Sequence, residues 1–143
     1  MKRSTFLATR DLTAAVIAFA ALAVFWRTAF PVVTWWDSSS YSLAASALAV
    51  VGPPGSLFLT LLGWPIAHFP FVQSPAYALN LFAGALAALT VVMVYVIALR
   101  LLRLTRVDAL PSTHVGAGIG ALTLAFTTTT WEYAVQFTPY MLT

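Results

Sequence analysis

From Ala76 to Leu99 the chain runs for 24 residues without a charged side chain. A helix of that length spans the hydrocarbon core of a bilayer with some tilt. The rest of the sequence keeps to the same solvent. Of its 143 residues 61% are hydrophobic and only 8% are charged, against about a quarter in soluble domains. So few charges cannot solvate a globule of this size, whereas lipid can cover the apolar outside of each helix. The composition therefore predicts an all-α integral membrane protein forming a single membrane domain over 1–143. It has about three transmembrane helices, with a fourth if one ambiguous segment also crosses. No cysteine is present, which excludes a disulfide framework, a thiolate metal site and a cysteine nucleophile.

Two further spans are expected, near 11–33 and 113–131, beside the clear one over 76–99. The first follows a basic start, Lys2, Arg3 and Arg10. A signal peptide shares that pattern, but the apolar run continues past Arg27 through Ala29-Phe30-Pro31-Val32-Val33, which favours an uncleaved span. Trp35-Trp36 reads as an interface anchor, because tryptophan gathers where membrane meets water. Asp37-Ser38-Ser39-Ser40 offers N-cap oxygens for a short helix over 38–51. Gly52-Pro53-Pro54-Gly55 stops it. A second short apolar helix is expected over 56–69. Both are too short to cross and are read as interfacial or re-entrant pieces.

Basic residues set the topology. Lys2, Arg3, Arg10, Arg100, Arg103 and Arg106 are six of the seven, and cytoplasmic loops are enriched in Lys and Arg. They share one side if the chain crosses twice between Arg10 and Arg100, so 56–69 does not cross fully. The N-terminus is then cytoplasmic, and Asp37, Glu132 and Tyr140 face the outer compartment. The chain stops at Thr143 inside an apolar context, which suits a longer native protein.

Asp37 is the sharpest chemical candidate, since ionisable groups near membrane depth are often functional. It also suits a helix cap or an ion pair with Arg27. Arg27, Ser40, Glu132 and Tyr140 complete a polar cluster expected on the outer face. Arg27 can snorkel to the interface or bind a phosphate or headgroup. His68 and His114 have no acid or second histidine at ligand spacing, so no metal site is expected. The run Gly116-Ala117-Gly118-Ile119-Gly120-Ala121 lacks the preceding strand of a dinucleotide site. Gly116 with Gly120, and Gly84 with Ala88, instead suit close helix packing in lipid. No P-loop, catalytic triad or nucleic-acid patch is present, and no histidine stands mid-span to hold haem or chlorophyll.

The order Thr34-Trp35-Trp36-Asp37-Ser38, Gly52-Pro53-Pro54-Gly55, Leu79-Asn80-Leu81, Trp131 and Tyr140 resembles the N-terminal part of a bacterial membrane family with a domain of unknown function. That family is related to protein O-mannosyltransferases of the GT-C glycosyltransferase class. The resemblance implies a sugar drawn from a polyprenyl-phosphate donor on the outer face, with an acid after the first span as base or metal-site residue. Asp37 stands at that position. The motifs are degenerate: Ser40 and Thr138 stand where the family has Glu, and Gly52 where it has His.

Those losses and the short length point to a non-catalytic membrane subunit on a GT-C-like scaffold, stabilising a larger complex such as a photosynthetic or respiratory one. Its expected partners are other membrane subunits and lipids, with no cofactor beyond a bound lipid or polyprenyl phosphate. The alternative is the N-terminal fragment of a polyprenyl-phosphate-sugar-dependent membrane glycosyltransferase. The broken helix at Gly52–Gly55 leaves room for a small transporter or lipid-binding protein as a third reading.

Overall fold

The computed structural model describes residues 2–35, 37–51, 56–72, 74–104 and 111–142. Among these are six α-helices, a closing 3-10 turn and no strand. The helices are α1 (Lys2–Thr28), α2 (Asp37–Ala47), α3 (Leu57–Ala67), α4 (Pro75–Leu104), α5 (Pro111–Ala125) and α6 (Thr128–Ala134), and the 3-10 turn is Pro139–Leu142. Trp36, the Gly52–Gly55 turn, Arg106 and Asp108, all used in the sequence reading, lie outside the described residues.

Helices α1, α4 and α5 form one bundle. Each contributes one apolar stripe at helical spacing: Ile17, Ala21 and Phe25 from α1; Ala88, Val91, Tyr95 and Leu99 from α4; Ala117, Ala121 and Ala125 from α5. The alanines of α5 let its backbone approach closely, which is how helices associate in lipid. The opposite faces carry large exposed apolar side chains, among them Phe19, Leu101 and Ile119. Arg10–Thr28 and Pro75–Leu102 are long and apolar enough to cross a membrane, with mean hydropathy 1.5 and 2.4. Only 17% and 28% of their most apolar windows are buried. A core helix of a soluble protein would be mostly covered by protein, so by length, composition and exposure these two helices could span a membrane.

Helix α1 begins at Lys2 rather than near 11 and α4 runs to Leu104 rather than Leu99, and three further ends differ from the sequence expectation. The first helix stops at Thr28 rather than near Val33. Pro31 has no N–H to continue it, and the backbone turns outward, with Phe30 N–H donating to Val135 O at 3.2 Å. The second helix ends at Ala47, where Leu48 takes a left-handed conformation (φ 50°) and Ala49 N–H reaches back to Ala44 O, a Schellman closure. The expected third span, 113–131, is divided. Thr127 ends α5 and caps α6, its hydroxyl bonding Leu124 O and accepting from Thr130 N. Threonine hydroxyls compete for backbone groups in this way, and Thr127–Thr130 is a run of four. Helix α5 alone, with 15 residues, is about 22 Å long.

The short helices α2 and α3 pack on the α4 start. Tyr41, Ala45, Leu59, Ala67, Leu79 and Phe137 form this second core. With 11 residues, α3 extends about 16 Å, too short to cross. At the other end of the bundle the Tyr95 hydroxyl and His114 Nδ1 share a buried hydrogen bond of 2.9 Å.

Candidate functional site

The cleft is built where two irregular segments meet above the start of α4. One is the stretch after α1, from Phe30 to Trp35. The other runs from the end of α6 into the 3-10 turn. Asn80 ties them together. It is 0% exposed, and its amide nitrogen donates to Phe30 O at 2.8 Å and Val32 O at 3.2 Å. Its carbonyl oxygen accepts from Phe137 N–H at 2.8 Å. One side chain thus satisfies backbone groups of both walls, which would otherwise be orphaned. Thr34 donates to the Gln136 side-chain oxygen across the same seam.

Phe30, Thr34, Trp35, Asp37, Glu132, Tyr133, Gln136, Thr138 and Tyr140 line the resulting half-open cleft of about 540 Å³. Asp37 is the first residue of α2, and Glu132 projects from α6. Two phenols, Tyr133 and Tyr140, line the same cleft with ring centroids 5.3 Å apart at 43°. The Tyr140 hydroxyl donates to Asp37 Oδ2 at 3.1 Å. Trp35, 86% exposed, stands at the rim. Thr138 Oγ1 is buried with no hydrogen-bond partner, as are Ser38 Oγ and Ser42 Oγ on the inner face of α2.

The Asp37 carboxylate raises the pKa of Tyr140, first through the hydrogen bond it accepts and then through its charge. A negative neighbour disfavours phenolate. The tyrosine is therefore protonated to higher pH in the folded chain than in the unfolded one. The link's contribution to stability is full below the ordinary value of 10.0 and is lost as pH rises through the raised value. Asp37→Asn is expected to bring Tyr140 down toward 10.0, read from the ring-carbon shifts of labelled tyrosine during an alkaline titration. An unchanged midpoint would remove the contact.

Of the outer-face cluster read from the sequence, Asp37, Glu132 and Tyr140 share this cleft, and Arg27 and Ser40 do not line it. Both of those side chains are exposed, and among the described residues no ion pair joins Arg27 to Asp37. The packing glycines also separate. Gly84 and Ala88 are buried, and a Cβ on Gly84 would stand 3.2 Å from Phe25 and Trp26. Gly116 and Gly120 face outward with nothing within 4 Å. Within the chain the packing stripe of α5 lies one residue along, through Ala117 and Ala121. Asn80, Gln136 and Trp35 were not among the site candidates read from sequence. Asn80 carried a usable signal, an amide inside an uncharged apolar helix that must find partners, and Trp35 stood in the motif next to Asp37.

The family described as Protein O-mannosyl-transferase TMEM260 N-terminal domain matches residues 37–143. No curated protein and no solved structure matches the chain.

Proposed function

Because this chain belongs to the TMEM260-type protein O-mannosyl-transferase N-terminal domain family, we propose that it is the acid-bearing N-terminal part of a membrane glycosyltransferase that uses a polyprenyl-phosphate sugar. The observation that carries this reading is the meeting of Asp37 and Glu132 with Trp35, Tyr133 and Tyr140 in one cleft. Carboxylates accept hydrogen bonds from sugar hydroxyls, and flat aromatic faces receive the apolar face of a pyranose. A cleft of about 540 Å³ lies in the ordinary range for small-molecule sites.

In this reading the acceptor hydroxyl attacks the anomeric carbon of the donor sugar. The bond from that carbon to the phosphate oxygen breaks, and polyprenyl phosphate leaves with the electron pair. Asp37 takes the hydroxyl proton, and Glu132 holds sugar hydroxyls. The cleft faces the outer side of a bacterial inner membrane, crossed by α1 and α4, with Arg10 and Arg100 at the far, cytoplasmic end. The non-catalytic reading leaned on Ser40, Gly52 and Thr138 in place of ionisable residues and on the short length. Ser40 does not line the cleft, so its lack of charge takes nothing from it, whereas Thr138 does line it and leaves a hydroxyl there in place of a carboxylate. The family match is compatible with a transferase fragment and lends no support to a photosynthetic or respiratory complex.

The test is transfer of labelled mannose from mannosyl polyprenyl phosphate to a serine- and threonine-containing peptide by the full native protein in membranes. Asp37→Asn is expected to lower the rate about a hundredfold, the lower range for loss of a general base. An Asp37→Asn protein as fast as wild type would take the proton-accepting role from Asp37 and leave the transferase assignment standing. Inactivity of both, together with stoichiometric co-purification of other membrane proteins, would put a structural subunit in its place.

A further inference from the structure

Asp37 is the first residue of α2, and that position pulls its carboxylate two ways. The free N–H groups of the first helical turn attract a carboxylate. The cleft offers the Tyr140 hydroxyl, 3.1 Å from Oδ2. Resting on the reading of Asp37 as proton acceptor, we propose that Tyr140 is a positioning residue that holds Asp37 Oδ2 so that Oδ1 is presented to the incoming hydroxyl.

Tyr140 is half-exposed, but the segment that carries it is braced at three points. Its ring rests against Tyr133. The turn that carries it follows Phe137 and Thr138, both buried, and Phe137 is anchored through its N–H to Asn80. Val135, at the start of this segment, receives the Phe30 N–H. The phenol therefore approaches Asp37 as part of a braced wall, 103 residues away in sequence. The hydrogen bond at 3.1 Å favours the carboxylate rotamer that turns Oδ2 toward Tyr140. Losing it frees Asp37 to turn toward its own helix end, away from the acceptor.

A ring that merely packs differs from a hydroxyl that positions in what the phenylalanine variant does. In the mannosyl-transfer assay with the full native protein, Tyr140→Phe is expected to lower kcat about tenfold while the donor KM stays within about twofold, the worth of one charge-assisted hydrogen bond. Tyr140→Ala is expected to be no better, so that restoring the ring does not restore the rate. The alkaline limb gives a second readout. As pH rises through the raised Tyr140 pKa the phenol stops donating and its charge opposes Asp37. The groups that face it are Asp37 and Tyr41 from α2 and Glu132 and Tyr133 from α6. The wild-type limb at that pH is expected to vanish in Tyr140→Phe.

A Tyr140→Phe protein with wild-type kcat, beside an impaired Tyr140→Ala, would reduce Tyr140 to packing and overturn the proposal while Asp37 kept its role. A rise in donor KM alone would assign Tyr140 to binding and overturn it equally. An active Asp37→Asn protein would remove the base itself, and the positioning role with it.

Discussion

Asn80→Leu is expected to destabilise the protein by about 4 kcal/mol, the largest loss from any single side chain considered. Leucine is close to asparagine in size, so packing alone predicts little change. The cost comes from hydrogen bonds. Phe137 is fully buried, and its N–H, bonded to Asn80 Oδ1 at 2.8 Å, has no water to turn to. An orphaned buried donor costs about 1–3 kcal/mol. The bonds to Phe30 O and Val32 O are part-buried and add about 1 kcal/mol each. Tryptophan fluorescence during unfolding in detergent would register the loss. A further signature separates this role from generic helix damage. Only the walls of the cleft should loosen, so protease sites near Phe30–Trp35 and Val135–Tyr140 should open before the α1–α4–α5 bundle melts. An Asn80→Leu protein of wild-type stability would mean that the two walls stand without the amide.

Gly63→Ala carries the next largest effect, about 3 kcal/mol of destabilisation. Intrinsic propensity argues the other way, since alanine inside a helix is favoured over glycine by about 1 kcal/mol. Geometry decides the sign. A Cβ on Gly63 would stand 2.8 Å from Ala45 Cβ, 3.0 Å from Phe137 Cζ and 3.2 Å from Leu79 Cδ2. Ala45 Cβ is fixed to the backbone of α2, and the Phe137 backbone is held by the Asn80 anchor, so neither neighbour moves alone. Helix α3 must then lift from α2 and α4, at the usual overpacking cost of about 1–3 kcal/mol together with burial lost from the Tyr41–Leu59–Leu79 core. Thermal unfolding of the variant in the same detergent is the check. A Gly63→Ala protein more stable than wild type would show that α3 floats on its neighbours.

Both effects fall on residues whose importance the sequence marked unevenly. Asparagine at position 80 stands out in an apolar helix because a buried amide demands partners. Which partners cannot be read from the chain, since Phe30, Val32 and Phe137 lie about fifty residues to either side. Gly63 sits in a run of apolar residues with no periodic signal, and only the crossing of three helices gives its missing Cβ a meaning.

The sequence by itself determined the solvent-facing character and the helical content, because both follow from local quantities. An uncharged run of the right length makes an apolar helix whatever lies beside it. The Asp37 start of α2, and three of the cleft's polar side chains, Asp37, Glu132 and Tyr140, stood out for similar reasons, as polar groups bounding apolar stretches. The helix breaks near Pro31 and at the Thr127–Thr130 run follow from local chemistry as well. Tertiary structure alone decided that α5 turns Ala117 rather than Gly116 inward and that Arg27 and Ser40 stay outside the cleft. Each of those outcomes depends on how separate segments meet. Phe30 meets Val135 and Tyr140 meets Asp37, and no periodicity along one segment records which distant segment will supply its missing hydrogen bonds.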